Sequence, residues 1–218
     1  MHLLQVSGRA EYAPYLLIMN LRSHPEIRAG AAGSAAEILD ITLDALGHGN
    51  EAYTTFPLGD TAIQRIGTQF RISADLNGKV ELYRRTESPA PSEEQLPLSE
   101  NQLIERARLL IVDTIGGTCG NAEVFFHSLE YGAGGAVSVY FSYYIAGGSI
   151  FLFDNGYAAR VTLVSGVVTE AELIYRNYSF TGEYSDLLPE MQSLAAAGGE
   201  FLLYYSDTGA EILNPFWG

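Results

Sequence analysis

Between Val137 and Tyr178 the chain alternates apolar and polar residues and is cut at short intervals by glycine-bearing turns, a pattern that leaves few folds open. Val137, Val139, Phe141, Tyr143 and Ile145 fall on one side of a strand, with Ser138, Tyr140, Ser142 and Tyr144 on the other, because successive strand side chains point to opposite faces. Gly147-Gly148 reads as a turn. Ile150 to Phe153, Tyr157 to Val164 and Val167 to Tyr178 read as further strands, parted by Asp154-Asn155-Gly156 and Ser165-Gly166. The expectation is an antiparallel meander of about four strands with one face buried.

Helices come before such strands. Ser34-Ala-Ala-Glu37 is a capping box, with Ile38, Leu39, Ala45 and Leu46 on one face and Gly47 as the stop, which predicts a helix over 34–46. Phe70, Ile72, Ala74 and Leu76 then alternate into Asn77-Gly78, and Val80 and Leu82 alternate out again, predicting a hairpin with a two-residue type I′ turn. Ser99-Glu-Asn-Gln102 is a second capping box, followed by Leu103, Ala107, Leu110 and Ile111 at helical spacing and by Gly116-Gly117 as terminator. Ser185 or Asp186 can cap a last helix running to Gly198-Gly199, before a final hairpin of Phe201 to Tyr205, a turn at Asp207 to Gly209, and Ile212-Leu213. The fold class read from this order is α+β, with antiparallel sheets built from repeated helix-plus-hairpin modules. Three prolines and three glutamates between Glu87 and Leu98 resist both helix and central strand. The chain therefore divides into an α+β module at 1–86, a linker at 87–98 and a second α+β module at 99–218.

Composition narrows the function. With 12 basic and 26 acidic residues the net charge is −14, a field that repels phosphate backbones and anionic lipid headgroups and argues against nucleic-acid and membrane-surface partners. Lys79 is the only lysine, which removes most Schiff-base and phosphate-lysine chemistry. The single Cys119 forms no internal disulfide and is neutral about redox compartment. No window approaches the apolar length of a membrane helix, and Met1 to Ala10 lacks the features of a signal peptide, so the chain as it stands is expected to be soluble.

No group of residues announces catalysis. Asp44 and His48 are spaced to share a metal ion across a helix end, but two ligands are too few, and His2, His24 and His127 are isolated. Cys119, in a glycine-rich loop after a helix, has nothing local to lower its pKa, and pairing it with His127 as base has no spacing to support it. Gly30-Ala-Ala-Gly33-Ser34 precedes a helix, where anions are favoured, but it lacks the lysine of a phosphate loop; it and Gly132-Ala-Gly-Gly135 read as hinges and turns. Glu170 and Glu172 share a strand face and match a carboxylate pair in type, while their alternation with Ala171 and Leu173 marks a solvated face. The expectation is thus no catalytic residue, no metal and no cofactor. The tyrosines from Tyr131 to Tyr205 read either as core and cross-strand packing or as a platform, since tyrosine offers a broad apolar face with a polar tip. On the second alternative Tyr140, Tyr144 and Tyr178 are the candidate interaction surface.

Several short motifs add a resemblance. Tyr143-Tyr-Ile-Ala-Gly-Gly-Ser-Ile-Phe151, then Val164-Ser-Gly-Val-Val168 leading to Tyr175-Arg-Asn-Tyr178, resemble the extracytoplasmic domains of the YycI and YycH regulatory proteins. Leu188-Pro-Glu-Met191, the strand Phe201 to Tyr205 and the terminal Leu213-Asn-Pro-Phe-Trp217 look like that family's helix, its apolar-tyrosine strand and its closing strand, so the likeness spans about 99–217. The resemblance implies a membrane-anchored accessory protein of Gram-positive bacteria. Its outer domain would bind a sensor histidine kinase of a cell-wall two-component system, or a paralogous regulatory protein, with no cofactor. This sequence shows no N-terminal transmembrane helix, so either the anchor is not part of the chain or the protein is a relative without one. The alternative function is a cell-surface module that holds glycan or peptide ligands on exposed tyrosines.

Overall fold

The structure, a computed structural model, describes residues 22–85, 98–152, 156–187 and 202–217. Strand β1 (Arg22–Ala31) leads into helix α1 (Ala35–Ala45). The Ser34 hydroxyl accepts from the Glu37 amide, and the Glu37 carboxylate accepts from the Ser34 amide at 2.8 Å. This is the expected box. Ile38, Leu39 and Leu43 turn inward, as the helical period requires. Strands β2 (Thr54–Leu58), β3 (Ala62–Ile66), β4 (Phe70–Asp75) and β5 (Lys79–Arg84) then form an up-and-down meander.

The β4–β5 hairpin departs from the expected type I′ turn. Its loop is three residues, 76–78, with Gly78 at φ +84° and the Asp75 carboxylate accepting from the amides of Asn77 and Lys79, both at 2.9 Å. The Asp side chain satisfies the turn amides, so a second positive φ at Asn77 is not required. Two-residue I′ geometry appears instead at Ala146-Gly147 and Ser165-Gly166, where both central residues have positive φ.

Helix α2 (Glu100–Asp113) begins at the second capping box, on Ser99 and Gln102. Gly116-Gly117 does not end it. A kink at Thr114 intervenes, and the glycines lie inside a short helix, α3 (Ile115–Thr118). The remaining strands are β6 (Glu123–Tyr131), β7 (Ala136–Ile145), β8 (Gly148–Leu152), β9 (Ala159–Val164), β10 (Val167–Ile174), β11 (Arg176–Leu187), β12 (Leu203–Asp207), β13 (Ile212–Leu213) and β14 (Pro215–Trp217).

Eleven strands form one large sheet, and β11, β1 and β13 form a second, three-stranded one. The expected four-strand meander is corrected to a fork at β7. Strand β6 runs along one edge of β7, while the other edge is shared, β8 taking residues 143–145 and β9 taking residues 136–141. One arm continues through β8 to β12, paired in parallel, and β14. The other continues through β9 and β10 to β5, β4, β3 and β2. The expected strand 167–178 is broken at Tyr175, after which β11 leaves for the second sheet and pairs with β1. The expected final hairpin is also revised: β12 pairs with β8 and β14, whereas β13 pairs with β1. Ser185, Asp186 and Leu187 are strand residues of β11, and the expected last helix from Leu188 onward lies outside the described residues, as do the linker up to Pro97 and residues 1–21. Residues 22–85 and 98–217 share both sheets, through β5–β10 and β1–β11.

Both longer helices pack on one face of the large sheet, α1 against β3 and β4, α2 across β6, β7 and β9. That inner face carries Phe70, Ile72, Val80, Leu82, Val139, Phe141, Tyr143, Val161 and Leu173, all buried. No helix among the described residues is long and apolar enough to cross a membrane.

Among the described residues, four tyrosines are completely buried and use their phenols to tie elements together. Tyr143 donates to the Ile174 carbonyl at 2.6 Å, Tyr178 to Asp207 at 3.0 Å and Tyr205 to the Pro25 carbonyl at 3.1 Å, while the Tyr175 hydroxyl lies 2.8 Å from that of Thr42. Burial pushes Tyr175 and Tyr205 up to about 12 and raises Tyr143 and Tyr178; burial and the Glu51 carboxylate push Tyr53 up to about 12. An unfolded tyrosine ionises near pH 10. Between those values the unfolded chain loses protons that the folded chain keeps, so stability present below about pH 10 drains away as the pH climbs toward about 12. Phenolate absorbance and near-ultraviolet circular dichroism, followed together, should show these phenols ionising only as tertiary structure is lost. Complete titration near pH 10 with the fold intact would contradict the packing described.

Candidate functional site

The face of the large sheet opposite the helices presents the residues that alternate out of the core. On β7 these are Ser138, Tyr140, Ser142 and Tyr144, and paired residues on adjacent strands share a face. Following the register outward from Tyr144 gives Glu123 on β6 to one side, then Ser149 on β8, Tyr204 on β12 and Phe216 on β14 to the other. One step along lie Phe125 on β6, opposite Ser142, and Phe151 on β8, beside Ser206 of β12. Phe125 is 50%, Phe151 45%, Tyr144 40% and Phe216 39% exposed, so this half of the sheet shows aromatic rings where strand alternation ordinarily shows polar groups. Phe125 meets Tyr144 edge-on at 5.7 Å and Tyr204 stacks on Phe216 at 5.9 Å. These contacts hold the rings in place without covering them.

The other half of the same face is a layer of ion pairs. Glu172 on β10 lies between Glu81 on β5 and Arg160 on β9 in register; its carboxylate is 3.1 Å from the Lys79 ammonium and 3.5 Å from the Arg160 guanidinium, and accepts from the Tyr157 hydroxyl at 3.3 Å. Lys79 also reaches Glu81 at 3.0 Å. Partial burial alone would lower the Lys79 pKa, but hydrogen bonds to Glu81 and Glu172 outweigh it and raise it above the usual lysine range. Glu172 is 9% exposed, which corrects the expectation of a solvated strand face. At the boundary between the halves, Tyr140 donates to Glu130 at 2.9 Å and meets Tyr157 edge-on.

Of the three tyrosines expected to form the interaction surface, Tyr140 and Tyr144 do face outward. Tyr178 does not: it is fully buried, edge-on to Tyr143 at 5.1 Å, and bonded to Asp207. The alternation slips by one residue at the Tyr175 break, so a tyrosine counted onto the outer face of an unbroken strand lands in the core. Phe125, Phe151, Tyr204 and Phe216 were not among the expected surface residues. The outward phase of Phe151, next to inward Ile150, was the readable signal for one of them.

The other candidates fall apart in space. His48 pairs through Nδ1 with Glu51 at 2.6 Å and packs on Phe70, leaving Asp44 beside Gly49. Cys119 is buried, its thiol donating to the Ala122 carbonyl at 2.9 Å, and burial pushes its pKa up, away from the thiolate. His127 sits at the bulge of β6, exposed; His24 packs edge-on to Trp217; His2 lies outside the described residues. Gly30 is part of β1, paired with Asn177. No three His, Cys, Asp or Glu side chains among the described residues gather as a metal site. No protein-family model, curated protein or solved structure matches the chain.

Proposed function

We propose that the chain is a non-catalytic protein-binding domain whose working surface is the aromatic half of the outer sheet face. The observation that carries this reading is the shared, outward placement of Phe125, Tyr144, Phe151, Tyr204 and Phe216 on five adjacent strands, since contiguous exposed apolar patches on otherwise polar surfaces mark interaction sites. Aromatic anchors on a rigid sheet lose little side-chain entropy on binding, which suits them to act as hot spots. The side chains elsewhere point the same way. Glu172 is neutralised by two cations, and Cys119 is held as a buried thiol.

The resemblance of its motifs to those of the YycI and YycH proteins makes the outer domain of a sensor histidine kinase the partner of choice, in a fold built on helix-plus-hairpin modules and carried outside the cell. The exposed rings also suit a second reading, a cell-surface module that stacks them on glycan or peptide ligands. Purified outer domains of such kinases, tested by biolayer interferometry, should bind the chain. The triple variant Phe125→Ala, Tyr144→Ala, Phe151→Ala should weaken binding by about tenfold or more with little change in unfolding temperature. Binding to no kinase domain would remove the partner; undiminished binding by the triple variant would remove the surface.

A further inference from the structure

The aromatic half of the outer face is electrically one-sided. None of its strands β6, β7, β8, β12 and β14 carries a lysine or arginine. Its carboxylates are placed among the rings: Glu123 is the register partner of Tyr144, and Glu130, the register partner of Ser138, accepts from the Tyr140 hydroxyl at 2.9 Å. Both are exposed. Arg160, on the adjacent strand β9 and the register partner of Tyr140, is engaged with Glu172, and Lys79 with Glu81 and Glu172. We propose that this face docks a polypeptide segment bearing arginine or lysine, one cation seated on the rings of Tyr144 and Phe125 beside Glu123 and another, further along β7, on Tyr140 beside Glu130.

The proposal rests on the docking role given above and adds the chemistry of the partner. An aromatic face attracts cations through its ring quadrupole, and a neighbouring carboxylate adds a direct ion pair to the same group. Charge argues against the other occupants. A second copy of this chain would bring Glu123, Glu130 and a net charge of −14 against themselves, and like-charge juxtaposition across an interface is costly. Anionic cell-wall polymers and nucleic acids meet the same repulsion. A neutral glycan would use the rings but leave the carboxylates unanswered.

The test uses fluorescence anisotropy with the full chain and three labelled probes: a peptide alternating arginine and valine, its glutamate–valine counterpart, and a neutral chitin oligosaccharide. The arginine peptide is expected to bind, weakening as salt rises; the paired variant Glu123→Lys, Glu130→Lys and the paired variant Phe125→Ala, Tyr144→Ala should each weaken it by about tenfold or more. Failure of the arginine peptide to bind at low ionic strength overturns the proposal, and so does binding that ignores the charge reversal. If the glutamate peptide or the oligosaccharide binds instead and the aromatic variant abolishes it, the docking face stands and the cationic partner falls. If the aromatic variant leaves every bound probe unchanged, the docking face itself falls.

Discussion

Replacing Asp207 by alanine is expected to cost about 3–5 kcal/mol, the range found when one member of a buried ion pair is removed. Asp207 lies on β12, in the large sheet, and its side chain is 2% exposed. It receives two hydrogen bonds from the Arg176 guanidinium at 2.7 and 2.8 Å, one from the Tyr178 hydroxyl at 3.0 Å and one from the Gly209 amide at 3.0 Å. Arg176 and Tyr178 belong to β11, in the second sheet, so a single carboxylate joins the two sheets. Burial alone would lower the Arg176 pKa; the bonds to Asp207 reverse that and raise it. Without the carboxylate, a half-buried cation and a buried phenol lose their acceptor, and desolvated groups with no partner account for most of the cost. Typical domains are stable by about 5–15 kcal/mol, so the loss is a large share of the total.

Urea unfolding followed by circular dichroism measures it as a lower midpoint at unchanged slope. The double variant Arg176→Met, Asp207→Leu should recover a substantial part of the loss, because replacing both members of a buried pair by apolar groups removes the unpaired charge. A cost below about 1 kcal/mol for Asp207→Ala would mean that the pair is solvated and the sheets are joined by other contacts.

The distribution of these roles explains which parts of the fold could be read in the chain. Both long helices could, because Ser34/Glu37 and Ser99/Gln102 write their start in four residues and the apolar period follows at once. Strand β7 could too, since its alternation is unbroken from Val137 to Ile145. Strand β1 could not. Its register is interrupted between Pro25 and Ile27, and its partners lie on β11 and β13, far along the chain. Strand β2 is exposed throughout, an edge with Pro57 in it, and so carries no period-two signal. In β6 the bulge after Phe126 shifts the alternation, so no single period runs the length of the strand, and the two phenylalanines before it, on opposite faces of a sheet edge, are both exposed.

The candidate site was half legible for the same reason. Phase along one strand identified Tyr140 and Tyr144. Which strands flank them depends on the fork at β7 and on the parallel β8–β12 pairing, and neither is written in local sequence. The aromatic face exists because residues from Phe125 to Phe216 converge through those pairings.

The second large effect is expected at Gly78, where alanine should cost about 2–5 kcal/mol. Two independent terms contribute: a left-handed backbone costs an L-residue about 1–2 kcal/mol, and forcing atoms into a packed site adds about 1–3 kcal/mol. Gly78 has φ +84°, and a Cβ there would overlap the carbonyl oxygen of Tyr175, a backbone atom with little room to withdraw. The close approach has a purpose in the fold. The Gly78 carbonyl accepts from the Tyr175 amide at 2.8 Å, at the point where β10 ends and the chain departs for the second sheet. A side chain at 78 would push the β4–β5 turn away from this junction and disturb Tyr175, whose ring is fully buried. Gly59 provides the comparison, with φ +65° but nothing within 4 Å of an added Cβ. Gly59→Ala should therefore show the backbone cost alone, about 1–2 kcal/mol. Urea midpoints of the two variants separate strain from overlap, and amide exchange at Tyr175 should quicken only for Gly78→Ala. Equal costs at the two glycines would show that the turn yields freely and that the approach of Gly78 to Tyr175 does not hold the junction.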